Sequence, residues 1–165
     1  METLLTILAI FGAFAGMEFM AWFTHKYVMH GFLWALHKDH HQPTDGPFEK
    51  NDLFFLIYAI PSWLCIMLGL MNQNYPVVGI GAGIALYGIT YFLVHDVLIH
   101  RRFKWFDKTN NSYFKAIRKA HKVHHKNRFK QEGSCFGMLI VPSKYFTGSI
   151  PKKRKTAVRM FDILM

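Results

Sequence analysis

The sequence predicts an all-α integral membrane protein, with three transmembrane helices plus a helical cap at one membrane face. Three features carry this reading. Apolar residues gather into three long runs, basic residues fall to one side of those runs, and every histidine lies near them in a repeated pattern. Hydrophobic residues make up 52% of the 165-residue chain and charged residues only 18%, below the ~25% usual for a soluble domain. Mean hydropathy is nevertheless only +0.12, so apolar and basic stretches are segregated. This excludes a disordered chain and disfavours an ordinary soluble domain. Cys65 and Cys135 alone supply neither a disulfide framework nor a cysteine metal site.

The first run, residues 4–23, has 20 residues and one charge, Glu18. The second, 53–71, has 19 residues, no charge and Pro61 inside; the third, 77–94, has 18 and no charge. A helix of ~20 residues spans ~30 Å, the hydrocarbon thickness of a bilayer. Spans are therefore predicted at about 4–23, 53–71 and 77–94, in a single membrane-embedded domain over 1–165. The polar segments are 25–50 and 95–165. The first run lacks a basic leading stretch and a small-residue cleavage site, so it reads as a permanent helix rather than a signal peptide. Residues 72–76 form a predicted turn, and Pro76 can start the next helix. Gly79 with Gly83, and Gly81 with Ala85, have the spacing that lets membrane helices approach closely.

Twenty Lys and Arg stand against ten Asp and Glu, a formal net charge of +10. Lys26, Lys38 and Lys50 lie between the first two runs, none lies in the turn, and the other seventeen follow the third run. Three spans thus put all twenty on one side, which the positive-inside rule makes the cytoplasm, with the N-terminus outside. Residues 112–127 predict a helix capped by Ser112, with Phe114, Ile117, His121, His124 and His125 recurring along it. Residues 133–151 mix Gly, Pro and apolar residues and are expected at the membrane interface. The basic run 152–155 suits anionic head groups. Three spans argue against a nucleic-acid partner.

All ten histidines fall in four boxes. His25 and His30 form HxxxxH, as do His95 and His100; His37, His40 and His41 form HxxHH, as do His121, His124 and His125. Each half of the chain carries the same pair. On an α-helix i, i+3 and i+4 share a face, so each HxxHH box is expected to aim three imidazoles at one place. Rings five apart lie ~140° around an α-helix and ~7.5 Å along it. They are not expected to hold one ion side by side; they could flank two ions, or one could sit past the helix end. Ten imidazoles exceed the four ligands of one tetrahedral ion and suit two ions with open positions. Imidazole accepts Fe, Zn, Cu and Ni alike. Asp96, four residues before His100, could orient that ring as an acceptor, and Asp39, between His37 and His40, could do likewise. Glu18, nearly on the face of His25, is a further candidate because it is ionisable within a span. Glu49 and Asp52 suit a helix N-terminus rather than a ligand role.

The stretches HKYVMHGFLWALHKDHHQP (25–43), FEKNDLF (48–54), VHDVLIHRRF (94–103), AHKVHH (120–125) and FGMLIVP (136–142) resemble the bacterial β-carotene hydroxylase family. That family lies within the membrane fatty-acid hydroxylase/sterol desaturase superfamily. The resemblance implies a non-haem di-iron monooxygenase in which the ten histidines hold two Fe. It implies O2 as co-substrate, reduced ferredoxin as electron donor, and hydroxylation of C3 on the β-rings of β-carotene to β-cryptoxanthin and zeaxanthin. It also implies a multi-pass protein of the bacterial inner membrane with its active site on the cytoplasmic face. Breaking an unactivated C–H bond needs an oxidising metal centre, which no side chain supplies. A polyene dissolved in lipid need only reach the ends of the spans, where Phe19, Trp22, Phe23, Tyr91 and Phe92 could line its path.

The chain has no flavin or nucleotide fingerprint and no cysteine set for an iron–sulfur cluster, so a separate protein must deliver electrons. Arg101, Arg102, Lys104, Lys108, Lys115, Arg118, Lys119, Lys122 and Lys126 could steer an acidic ferredoxin; lipid head groups call for the same charges. The close alternative is a hydroxylase or desaturase of a fatty acyl chain or sterol. A metal-transport or metal-sensing protein should place its ligands at mid-membrane, whereas these lie at span ends. A di-zinc hydrolase would need fewer ligands and a clear general base.

Overall fold

A computed structural model describes residues 1–42, 48–103, 105, 109–126, 128–130 and 133–147. Its regular elements are all helical. Helix α1 (Glu2–Phe23) runs into a π-helical segment (Thr24–Phe32) and then α2 (Trp34–His41). A 3₁₀ turn (Lys50–Phe54) leads into α3 (Phe55–Met71). Helix α4 (Tyr75–Phe92) runs into a second π-helical segment (Leu93–Ile99), followed by α5 (Ser112–His125) and a 3₁₀ turn (Ser143–Tyr145).

Three helical stretches are long and apolar enough to cross a membrane: Glu2–Phe32, Lys50–Met71 and Tyr75–Ile99. Each outruns its apolar run, because helix continues into the polar turns beyond. Leu4, Leu8, Phe11, Phe55, Trp63, Leu70 and Ile89 are exposed on their outer faces. So large an apolar exterior suits hydrocarbon, not water.

Helix α4 packs against both α1 and α3, and its glycines permit it. A Cβ on Gly79 would lie 2.7 Å from the Thr6 carbonyl oxygen, and one on Gly83 would strike that of Ile10. Both face α1. Gly81 faces α3, where a Cβ would lie 2.6 Å from the Ser62 carbonyl oxygen; the Ser62 hydroxyl donates to the Gly81 carbonyl at 2.7 Å. Interleaved small residues thus serve two neighbours at once. Between helices in lipid there is no hydrophobic drive, so this close contact supplies the attraction. In the expected turn, the Asn74 side chain accepts the N–H of Val77 at 3.3 Å, with Pro76 in the first turn of α4.

Helix α5 starts where expected, but its cap is Asn111, not Ser112. The Asn111 side chain accepts from the N–H groups of Tyr113 and Phe114 at 2.9 and 3.2 Å. Asn111 has the extended backbone of a cap (φ −63°, ψ 128°), while Ser112 is already helical. Of the segment 133–151 expected at the membrane interface, residues 133–147 are described, and residues 133–142 pack against the helical cap. They run as an irregular strap beside α5, where Cys135 and Val141 pack on Ala116, Ala120 and Tyr145. Asn127, Lys104, Lys108, residues 148–151 and the basic run 152–155 lie outside the described residues.

Candidate metal centre

The span ends are not α-helical, and this changes where the histidines point. His25 and His30 lie in the first π segment, and His95 in the second, with His100 capping it. In a π-helix the hydrogen bond runs from i+5 back to i, which returns residue i+5 to the face of residue i. The His100 N–H donates to the His95 carbonyl at 2.9 Å in this pattern. Each HxxxxH pair therefore converges, against the α-helical expectation that it could not hold one ion side by side. Gly31 leaves helical geometry (φ −99°, ψ −124°) and ends the first segment just before α2.

The HxxHH boxes depart from expectation the opposite way: each divides. Ligand nitrogens of His25, His30, His37, His41 and His124 all lie within 4.8 Å of one another, and so do those of His40, His95, His100 and His121. We term these group A and group B. His125 adjoins group B, with its Nε2 2.8 Å from the Nε2 of His121. Its ring also stacks on His41 at 4.5 Å, so the two groups share a wall. The division follows from helix geometry. Adjacent positions i+3 and i+4 are ~100° apart, so a box facing a gap between two sites sends one ring to one site and two to the other. In the first half His37 and His41 go to group A and His40 crosses to B; in the second, His121 and His125 serve B and His124 crosses to A. Each group thus draws one ring from the other half of the chain.

The rings are held from behind. In group A, His25 Nδ1 faces the Phe136 carbonyl at 3.0 Å, His30 Nδ1 the Lys130 carbonyl at 3.1 Å, and His124 Nδ1 the Ser134 carbonyl at 2.8 Å. His37 Nδ1 faces Asn51 Oδ1 at 2.6 Å. In group B, His40 Nδ1 faces Glu49 at 2.8 Å and His95 Nδ1 faces Asp96 at 3.4 Å. These oxygens only accept, so each Nδ1 carries the hydrogen and each Nε2 keeps a bare lone pair. Yet Nε2 atoms meet closely: His30 with His124 at 3.3 Å, His124 with His41 at 3.1 Å, and His95 with His40 at 3.1 Å. The Nε2 of His25 is buried without a hydrogen-bond partner. Converging lone pairs with no proton between them are stable only around a cation, so the donor sets fit metal ions. Burial, reinforced by neighbouring rings, lowers the proton affinity of these imidazoles. His37 and His100 are pushed down to about 3 and His124 to about 2, while His40 and His121 also fall well below 6.5. They are neutral, as ligands must be.

Of the polar candidates, Asp96 meets a ring, though that of His95 rather than His100. Asp39 accepts the Lys50 N–H at 2.6 Å instead of holding a histidine. Glu18 acts one step removed. Its Oε1 accepts the N–H groups of Met138, Leu139 and Ile140 at 3.0, 2.8 and 2.9 Å, and its Oε2 accepts the Tyr87 hydroxyl at 2.7 Å. It so clasps the strap that supplies the Phe136 and Ser134 carbonyls. Sequence reasoning passed over Asn51, gave Glu49 only its helix-capping role, which it does fill with Asp52, and gave Arg102 only a part in docking. The Arg102 guanidinium reaches Glu49, Asp52 and Asp96, each at 3.2 Å. Among the proposed lining residues, Tyr91 stacks on His95 at 4.9 Å and Trp22 lies 5.6 Å from Phe19 between ring centroids. Phe19, Phe23 and Phe92 are exposed on the bundle exterior.

Comparison with known proteins agrees with this centre. Residues 10–147 match the family model described as fatty acid hydroxylase. The chain is 42% identical over 135 residues to a β-carotene hydroxylase of Pantoea ananas, covering 82% of this chain and 77% of the relative. It is 36% identical over 146 residues to β-carotene hydroxylase 1, chloroplastic, of Capsicum annuum, covering 87% of this chain and 46% of the relative. It is 39% identical over 132 residues to a chloroplastic β-carotene 3-hydroxylase of an Oncidium hybrid cultivar, covering 78% of this chain and 43% of the relative. The chain therefore spans less than half the length of these plant relatives. No solved structure matches it. Histidine boxes, apolar helices and these similarities together make the chain a member of the fatty acid hydroxylase family.

Proposed function

We propose that residues 1–165 act as one membrane-embedded hydroxylase domain, a non-haem di-iron monooxygenase that hydroxylates C3 of the β-rings of β-carotene. The products are β-cryptoxanthin, itself a substrate, and then zeaxanthin. The observation that carries the chemistry is the convergence of histidine nitrogens into two adjacent, buried groups at one end of three apolar helices. The choice of β-carotene over a fatty acyl chain or sterol rests on the relatives, which are named as β-carotene hydroxylases. Groups A and B, with His125, would hold one iron each. The irons supply the redox chemistry by which O2 is activated for insertion into a C–H bond. Each turnover consumes one O2, two electrons and two protons; one oxygen atom enters the C–OH and the other leaves as water.

The chain's own residues do the rest. Backbone carbonyls of the strap and the side chains of Asn51, Glu49 and Asp96 fix His25, His124, His37, His40 and His95 with Nε2 inward. Burial keeps the rings unprotonated. Apolar span exteriors keep the enzyme in the phase where the polyene and its lipid neighbours reside. The positive-inside rule supports a cytoplasmic histidine end; in a bacterial inner membrane, reduced ferredoxin would dock on that face. Lys122 and Lys126, exposed on α5, suit that role best. Arg118 and Lys119 are engaged with the backbone carbonyls of Leu98 and Thr147, so reversing them would disturb the fold as well. Expression in cells that accumulate β-carotene, followed by pigment analysis, tests the proposal. Conversion to β-cryptoxanthin and zeaxanthin supports it; unchanged β-carotene in cells that hold the metal-loaded protein and a working ferredoxin refutes it.

A further inference from the structure

The strap touches α1 at two heights. The Phe136 carbonyl meets the His25 ring at 3.0 Å, and the N–H groups of Met138, Leu139 and Ile140 donate to Glu18. Glu18 lies seven residues before His25, about 10 Å down the helix. It is 8% exposed and stands five residues before Phe23, where the first apolar run ends. Its other oxygen accepts from Tyr87, seven residues before the third run ends at Val94. The two side chains therefore spring from points about 7 and 10 Å inside their runs. Both α1 and α4 run toward the histidine end, and side chains on a helix lean toward its N-terminus. Glu18 and Tyr87 thus lean deeper into the spans rather than up toward the head groups, and the tip of the strap is tied to them there.

Non-helical backbone survives at membrane depth only where protein satisfies its polar groups. The tip has such provision. One Glu18 oxygen takes three successive N–H groups, at 3.0, 2.8 and 2.9 Å. The Tyr113 hydroxyl donates to the Leu139 carbonyl at 2.6 Å, and Pro142 has no N–H to satisfy. A Cβ on Gly137 would lie 3.2 Å from the same Glu18 oxygen, so glycine leaves the carboxylate room to close. The side chains fit as well. Met138 is buried, while Ile140 points outward, 76% exposed. Four residues on, Lys144 is exposed with its ammonium over the Tyr145 ring at 5.2 Å, a side chain able to reach head groups as the chain comes back up. We propose that the strap is a re-entrant segment. It dips into the hydrocarbon beside α1 with residues 138–140 at its tip and Ile140 against lipid acyl chains, and Glu18 holds it at that depth. The inference rests on the reading that α1 and α4 cross a bilayer. The segment that holds His25 and His124 from behind then borders the phase through which a lipid-dissolved substrate travels.

The test uses the full chain in vesicles of phosphatidylcholine and phosphatidylglycerol. Cys65→Ala and Cys135→Ser clear the native thiols, the serine keeping a donor for Tyr145. A single introduced cysteine then carries a nitrobenzoxadiazole fluorophore. Ile140→Cys reports on the tip, Phe11→Cys is the reference within the membrane, and Lys126→Cys is the reference in water. Lipid with a nitroxide on its acyl chain quenches from the hydrocarbon, and iodide quenches from water. The label at 140 should lose its fluorescence to nitroxide lipid as the label at 11 does, and be shielded from iodide. Iodide quenching at 140 equal to that at 126, without quenching by nitroxide lipid, overturns the proposal. A label at 11 that behaves like the one at 126 strikes instead at the spans beneath it. In the protein labelled at 140, Glu18→Leu leaves three N–H groups without an acceptor, so nitroxide quenching should be lost and iodide quenching gained, with position 11 unchanged. Glu18→Gln keeps an accepting oxygen and should hold the depth. A tip that stays shielded from iodide in Glu18→Leu overturns the part given to Glu18.

Discussion

Group A and group B take the same boxes from opposite halves of the chain, yet the partners described behind their rings differ. Behind group A lies the strap, an irregular segment offering carbonyls and held in place by Glu18. Behind group B lies a charged network of Glu49, Asp52, Asp96 and Arg102. The repeat fixes which rings converge; the unrepeated segments packed behind them fix the electrostatics. A duplicated ligand pattern therefore does not imply equivalent sites.

The sharpest way to break the comparison is at the crossing rings. His40 and His124 each serve the group made mostly by the other half, and no spare histidine stands behind them. His40→Ala and His124→Ala should both abolish hydroxylation while the chain still inserts. Metal analysis should show each variant short of a different ion. His41→Ala and His125→Ala, at the shared wall, should be inactive as well. Appreciable zeaxanthin from any two of these four would mean that the boxes are structural.

Glu18 sets up the next largest effect, directed at one group. Replacing it with Leu leaves three strap N–H groups without an acceptor, at about 1–3 kcal/mol for each. Glu18→Leu should release the strap and lower metal retention at group A more than at group B. Glu18→Gln, which keeps the accepting oxygen, should be milder. Equal metal loss from both groups in Glu18→Leu would show that the strap supports the whole fold rather than one side of the centre.

Acid should weaken the metal-free protein. His37 and His100 are held at about 3 and His124 at about 2, against an ordinary value near 6.5. An unfolded chain takes up these protons as pH falls through 6.5, and the folded chain does so only far lower. Between those limits the unfolded state binds more protons, so stability falls with pH, by up to about 1.4 kcal/mol per pH unit for each ring. The thermal midpoint of metal-free protein should drop steadily from pH 6.5 to 4.5; a flat profile over that range would contradict the burial argument. Bound metal should delay the drop, because a coordinated ring cannot take the proton.

The smallest effect is expected at the surface. Lys122→Glu with Lys126→Glu should raise the ferredoxin KM a few-fold and flatten its dependence on salt, with metal content unchanged, since exposed charges act mainly on encounter. Unaltered ferredoxin kinetics would locate the donor's docking face elsewhere.

Much was legible in the chain itself. Three spans follow from runs with at most one charge that are long enough to cross a bilayer, and α4's glycine rows from their spacing, because span length and small-residue contact are local properties of a helix. The ten histidines were recognisable as a ligand set from their boxes alone. Their partition was not. Composition does not announce that a helix changes from i+4 to i+5 bonding at Thr24 and Leu93, since that change is stabilised by what packs around the span ends. Nor does spacing say that an HxxHH box faces a gap between two sites, which depends on how α2 and α5 are set against each other. Glu49, Asn51, Arg102 and the strap carbonyls come from segments far apart in the chain, and only tertiary packing brings them behind the rings. The sequence by itself determined which atoms could bind metal. The fold decided how they are shared between two sites and which segments hold the rings from behind.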